Sequence, residues 1–136
     1  MRKPFIIVLV ALLLVGVFVS CKMEEEKTEV GTWVFHSSAE GIVSDETLIL
    51  RKDGSAKNTL SSVEVVEGVT TTMNAEMNGT YKKTSDNKGT ITFTSGSGTS
   101  TTGNVTITIK MPDTTTRNYE FSGGYLIVDG DIFTRK

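Results

Sequence analysis

The sequence predicts an all-β domain built as an antiparallel up-and-down barrel of about eight to ten short strands. From Gly31 onward, apolar residues recur with a period of two, and no stretch shows the 3.6-residue period of an amphipathic helix. Thr, Val and Ile dominate the same region; their branched side chains suit a pleated, half-buried surface. Gly, Asn-Gly and Asp-Gly recur between the runs, with only Pro112 interrupting, as tight hairpin turns require. An open β-sandwich is the alternative on strand count, but a meander this long can close on itself and remove its exposed edges.

The first element stands apart from this domain. Arg2 and Lys3 precede an apolar run from Phe5 to Val19, followed by Ser20 and Cys21, the only cysteine. A helix of about 15 residues reaches only ~22 Å, short of the ~30 Å hydrocarbon core of a bilayer. A basic start and a small residue before the cut fit a cleaved export signal, residues 1–20, better than a permanent span. Phe18-Val19-Ser20-Cys21 resembles the lipobox of bacterial lipoproteins, with Phe18 and Val19 standing where Leu and then Ala or Ser are usual. The resemblance implies that Cys21 is the lipid attachment site and the mature N-terminus. Membrane contact is then through lipid on Cys21, in a bacterial cell envelope, at the outer membrane or cell surface. Two or more acyl chains hold firmly where one is marginal. A plain secretory leader with an incidental thiol is the alternative. A single cysteine also rules out an internal disulfide.

Residues 21–30 form the lipidated N-terminus and a polar tether: Lys22 to Val30 is charged and lacks apolar periodicity. The chain has 14 basic and 16 acidic residues, and loss of Arg2 and Lys3 with the leader leaves a net charge of about −4. With no basic patch interleaved with aromatics, no nucleic-acid partner is expected.

Residues 31–136 are expected to be the barrel. Trp33 and Phe35 share one strand face, and Leu48 and Leu50 another, before a turn at Lys52-Asp53-Gly54 leads into residues 55–60. Val63 and Val65 open a run that continues through a bend at Gly68 to Met73. Asn78-Gly79-Thr80-Tyr81 starts the next strand; Met77 and Tyr81 are assigned inward. A turn at residues 86–89 precedes Ile91 and Phe93, and residues 96–103 read as a flexible Gly/Ser/Thr loop. Val105, Ile107 and Ile109 alternate with Thr106, Thr108 and Lys110 in the clearest amphipathic strand, its apolar set assigned to the core. Tyr119 and Phe121, a turn at Gly123-Gly124, Leu126 and Val128, a turn at Asp129-Gly130, and a last strand with Phe133 complete the order.

Gly31-Thr32-Trp33 at the start of the first strand resembles the Gly-x-Trp signature of lipocalins. With Leu48-x-Leu50, Asp53-Gly54-Ser55, Asn78-Gly79-Thr80-Tyr81, Tyr125 to Val128 and Ile132 to Arg135, the order resembles the small lipocalin-like domains of bacterial lipoproteins. The likeness implies a closed barrel end in which Trp33 packs beneath Arg135 as a structural pair. The chain is shorter than a full lipocalin, and no segment reads as the helix that flanks the usual barrel.

The residues supply little chemistry. His36 is the only histidine and reads as an outward strand residue beside the Trp33 face. Asp129-Gly130-Asp131 reads as a turn rather than a calcium site, and Gly96-Ser97-Gly98 lacks the lysine and helix start of a phosphate cradle. No catalytic residue, metal ligand or cofactor-binding residue is expected. The Thr runs at 70–72, 99–102 and 114–116 fit either an adhesive surface or plain strand propensity. Two functions follow. One is a membrane-anchored lipocalin-like lipoprotein taking a small apolar ligand in the barrel. The other is a non-enzymatic surface or periplasmic interaction protein, an inhibitor or adhesin, with a filled barrel as scaffold. The sequence names no protein partner.

Overall fold

The computed structural model describes residues 28–111 and 113–136; the leader, Cys21, the tether up to residue 27 and Pro112 lie outside the described residues. Nine strands follow one another: β1 (Gly31–Ala39), β2 (Ile42–Leu50), β3 (Ser55–Val66), β4 (Val69–Lys83), β5 (Lys88–Thr102), β6 (Val105–Lys110), β7 (Thr115–Ser122), β8 (Tyr125–Val128) and β9 (Asp131–Arg135). All pairings are antiparallel. β1 through β5 pair in sequence, β5 also pairs β7, and β7, β8 and β9 return to β1, closing an eight-stranded barrel. The ninth strand, β6, lies outside the ring. It runs along the upper half of β5 (residues 97–102) while β7 takes the lower half (residues 88–93), so β6 and β7 follow each other along one edge of β5.

Two strands are longer than expected. β4 and β5 have 15 residues each, about 50 Å at ~3.3 Å per residue. The stretch 96–103 is therefore not a flexible loop: all but Gly103 belong to β5, bonded to β4 on one side and, from Ser97 on, to β6 on the other. Two flanking ladders outweigh the entropic cost of Gly in a strand. Gly96 is also sterically required, since a Cβ there would meet the Glu76 carbonyl oxygen at 2.7 Å. Asn78-Gly79 does not open a strand; it marks a register shift inside β4.

β8 and β9 have only 4 and 5 residues, and β9 pairs β1 at Trp33 and Val34 alone. The barrel is consequently closed only in its lower half. Above it β1 to β6 continue as an open six-stranded sheet. The core fills the closed half: Trp33, Leu48, Leu50, Ile91, Phe93, Leu126, Val128 and Phe133 are at most 2% exposed. Trp33 meets Phe121 edge-on at 5.9 Å, and Phe35 meets Phe133 at 5.4 Å.

Four assignments to the core do not hold. Val63 and Val65 are exposed, because Leu48 pairs with Asn58 and so turns the even-numbered residues of β3 inward. Val105 and Ile107 lie on the core-side face but above the closed half, 65% and 58% exposed.

Candidate functional site

The closed end is built from the last strand and the segment that precedes the first. Trp33 pairs with Arg135 across β1 and β9, and the guanidinium lies 4.3 Å from the indole centroid. Arg135 also donates to the carbonyls of Val30 (2.9 Å) and Thr28 (2.6 Å), and the indole N–H donates to the Glu29 carbonyl at 2.8 Å. Residues 28–30 are thereby held beneath the barrel. Gly31 permits this: its φ of 148° and a Cβ only 2.5 Å from the guanidinium would exclude any side chain. Glu29 is buried, with Lys83 Nζ 3.6 Å from its carboxylate. Beside it opens a cleft of about 590 Å³ that includes Lys52, Lys82 and Lys83.

Tyr119 lies near this end, 3% exposed, with its ring against Gly89 and edge-on to Tyr81 at 6.3 Å. Among the described residues its hydroxyl has no hydrogen-bond partner. Burial, then the Glu29 carboxylate and Tyr81, pushes the phenol up to about 12. Burial also raises Tyr81, whose hydroxyl donates to the Arg51 carbonyl at 2.6 Å.

Midway up the barrel the apolar interior ends in a polar layer. Arg117 on β7 points inward and bonds Glu46 of β2 at 2.5 Å, with both side chains mostly buried. The same guanidinium reaches Asp129 at 3.3 Å and Asp131 at 3.9 Å. Asn58 of β3, 3% exposed, donates its amide to Glu46 at 2.7 Å, and its amide oxygen has no partner among the described residues. This layer was missed from sequence; the available signal was that Arg117 stands on the same alternation as Tyr119 and Phe121, which turns it inward. The Asp129-Gly130-Asp131 turn is committed to Arg117, and no group of His, Cys, Asp and Glu among the described residues is arranged to hold a metal ion.

Above the layer the sheet presents two unlike faces. The face continuous with the core carries Leu60, Met73 and Ala75, half-buried, and Ile42, Val66, Val69, Val105 and Ile107, exposed. The opposite face carries a cross-strand row, Asp45-Ser61-Asn74-Thr99-Thr108, set by consecutive pairings from β2 to β6. It lines an open groove of about 500 Å³ with Glu76 at its side. Hydroxyls, an amide and carboxylates make this a hydrogen-bonding surface without an aromatic platform. Thr runs from separate strands meet near the top of the sheet: Thr101 bonds Thr106 on this face and Thr71 bonds Thr102 on the core-side face, both at 2.9 Å between hydroxyl oxygens. His36 bonds Asp45 at 2.7 Å at the exposed edge of β1.

No helix among the described residues is long and apolar enough to cross a membrane. The chain matches no protein family, no curated protein and no solved structure.

Proposed function

We propose that this chain is a membrane-anchored, non-enzymatic interaction protein whose filled barrel holds an open sheet toward a partner. One observation carries the reading: the space a lipocalin-like barrel would give to a ligand is occupied by the chain's own side chains. Trp33, Phe93 and Phe133 fill it from below, and the Arg117–Glu46–Asn58 layer lies across it. An apolar ligand entering from above would have to displace a buried ion pair, at a cost of several kcal/mol. The anchor is the lipid on Cys21, supported by the leader and the lipobox-like sequence around that residue.

A second reading, a small apolar molecule, is favoured by the half-buried Leu60, Met73 and Ala75 above the layer. In that case the molecule lies on the open sheet and not inside the barrel. Native mass spectrometry of the full-length protein extracted from its membrane separates the two. The scaffold reading expects acyl mass on Cys21 and no bound small molecule. A stoichiometric apolar ligand would sink it, and an unmodified thiol with the leader attached would sink the anchor.

A further inference from the structure

The short β8 and β9 leave two strand edges open on the upper sheet: β6, and β1 from residue 35 onward. Strand edges of this kind are normally blunted by inward charges, prolines or bulges, because unpaired N–H and C=O groups recruit other strands. β6 has none of these along its length. It reads Val-Thr-Ile-Thr-Ile-Lys, pairs β5 without a register shift, and carries its one charge at its lower end, Lys110. Its core-side residues Val105 and Ile107 are the most exposed large hydrophobics among the described residues, at 65% and 58%.

We propose that β6 is an interface between two copies of this chain, joined edge to edge as antiparallel strands about a two-fold axis through Ile107. In that register Ile107 meets its own counterpart, Val105 faces Ile109 of the second copy, and Thr106 faces Thr108. The apolar rows Val105-Ile107-Ile109 of the two copies then lie side by side on one face, and the hydroxyl rows meet on the other. A slip by one residue would set isoleucine beside threonine and bring unlike faces together, so strand alternation selects the register. The other open edge is a poorer match: the upper part of β1 offers Ser37 and Ala39 on the core-side face. Pairing β6 to β1 would leave a β6 edge and a β1 edge free at the two ends and so propagate without end, whereas the two-fold pairing consumes both β6 edges and closes. A six-residue edge falls short of the ~1,000 Å² that a stable interface clears, so the pair is a weak, reversible one. This inference does not depend on what else the open sheet binds.

The test uses full-length protein in detergent, followed by sedimentation across a concentration series. A monomer–dimer equilibrium is expected. Ile107→Lys, which opposes two like charges on the axis at an already exposed position, weakens association by about tenfold or more and leaves the circular dichroism unchanged. Ile107→Cys cross-links to itself on oxidation, above the background set by unsubstituted protein that keeps Cys21, whereas Thr106→Cys does not. A monomer at every concentration, a dimer indifferent to Ile107→Lys, equal cross-linking through Thr106→Cys, or open-ended assembly would each overturn the proposal.

Discussion

Arg135 stacks on Trp33 and ties down residues 28–30, so one side chain does several jobs at the closed end. A cation over an indole contributes ~0.5–2 kcal/mol, and the carbonyl bonds add to this. Arg135→Ala is therefore expected to lower unfolding free energy by about 2 kcal/mol, read from the urea midpoint at constant slope. Arg135→Lys recovers less than half, since an ammonium cannot stack and span two carbonyls together. Arg117 poses a sharper case: Arg117→Ala leaves Glu46 buried beside Asn58 and costs ~3 kcal/mol or more. Pairing it with Glu46→Leu restores part of that loss in a double-mutant cycle. Tyr119 gives a pH signature. Its folded pKa of about 12 lies above the ordinary value of 10, so the folded state holds a proton that the unfolded chain releases between those values. Its stabilising contribution is complete below pH 10 and declines as pH rises toward 12. Tyr119→Phe should flatten this alkaline loss in urea titrations between pH 9 and 12. It should also be nearly neutral at pH 7, because the hydroxyl it removes has no partner among the described residues.

At the scale of elements, alternation located most strands, whereas glycine misled. Residues 96–102 looked like a loop because Gly and Ser carry low strand propensity, yet all are paired with β4 and residues 97–102 also with β6. Partner strands distant in sequence supply that pairing, and local propensity cannot register it. Hydrogen exchange is the direct check: amides in the second half of β5 should be protected well beyond those of the Gly123-Gly124 turn. Gly96→Val, harmless in a loop, should destabilise by ~1–3 kcal/mol through collision with the Glu76 carbonyl. β3 shows a different limit. Ala56 and Leu60 are even-numbered and inward, whereas Val63 and Val65 are odd-numbered and outward, so the apolar alternation changes face partway along one continuous strand. Read locally, that change of phase suggests two strands. Only pairing with β2 and β4 shows it to be one.

For the whole molecule, strand number and meander order were readable because hairpins are local and their turns carry Gly, Asn and Asp. The open upper half was not readable. It follows from β8 and β9 being 4 and 5 residues long against 15 for β4 and β5, a mismatch that becomes visible only once the ring is closed. The polar layer was hidden for a related reason: Arg117 and Glu46 are 71 residues apart, and nothing nearby in sequence announces that they meet. The one local signal, not taken up in the sequence reading, is the alternation Arg117-Tyr119-Phe121, which turns Arg117 inward.

Because residues 28–30 are fastened under the closed end while β6 lies at the far end, foot and head are at opposite poles of each copy. Antiparallel pairing through β6 turns one copy upside down relative to the other. If both chains carry lipid, their feet point away from each other, and the pair suits two facing bilayers better than neighbouring sites on one. Vesicles bearing the acylated protein should then clump, and those bearing Ile107→Lys should stay dispersed.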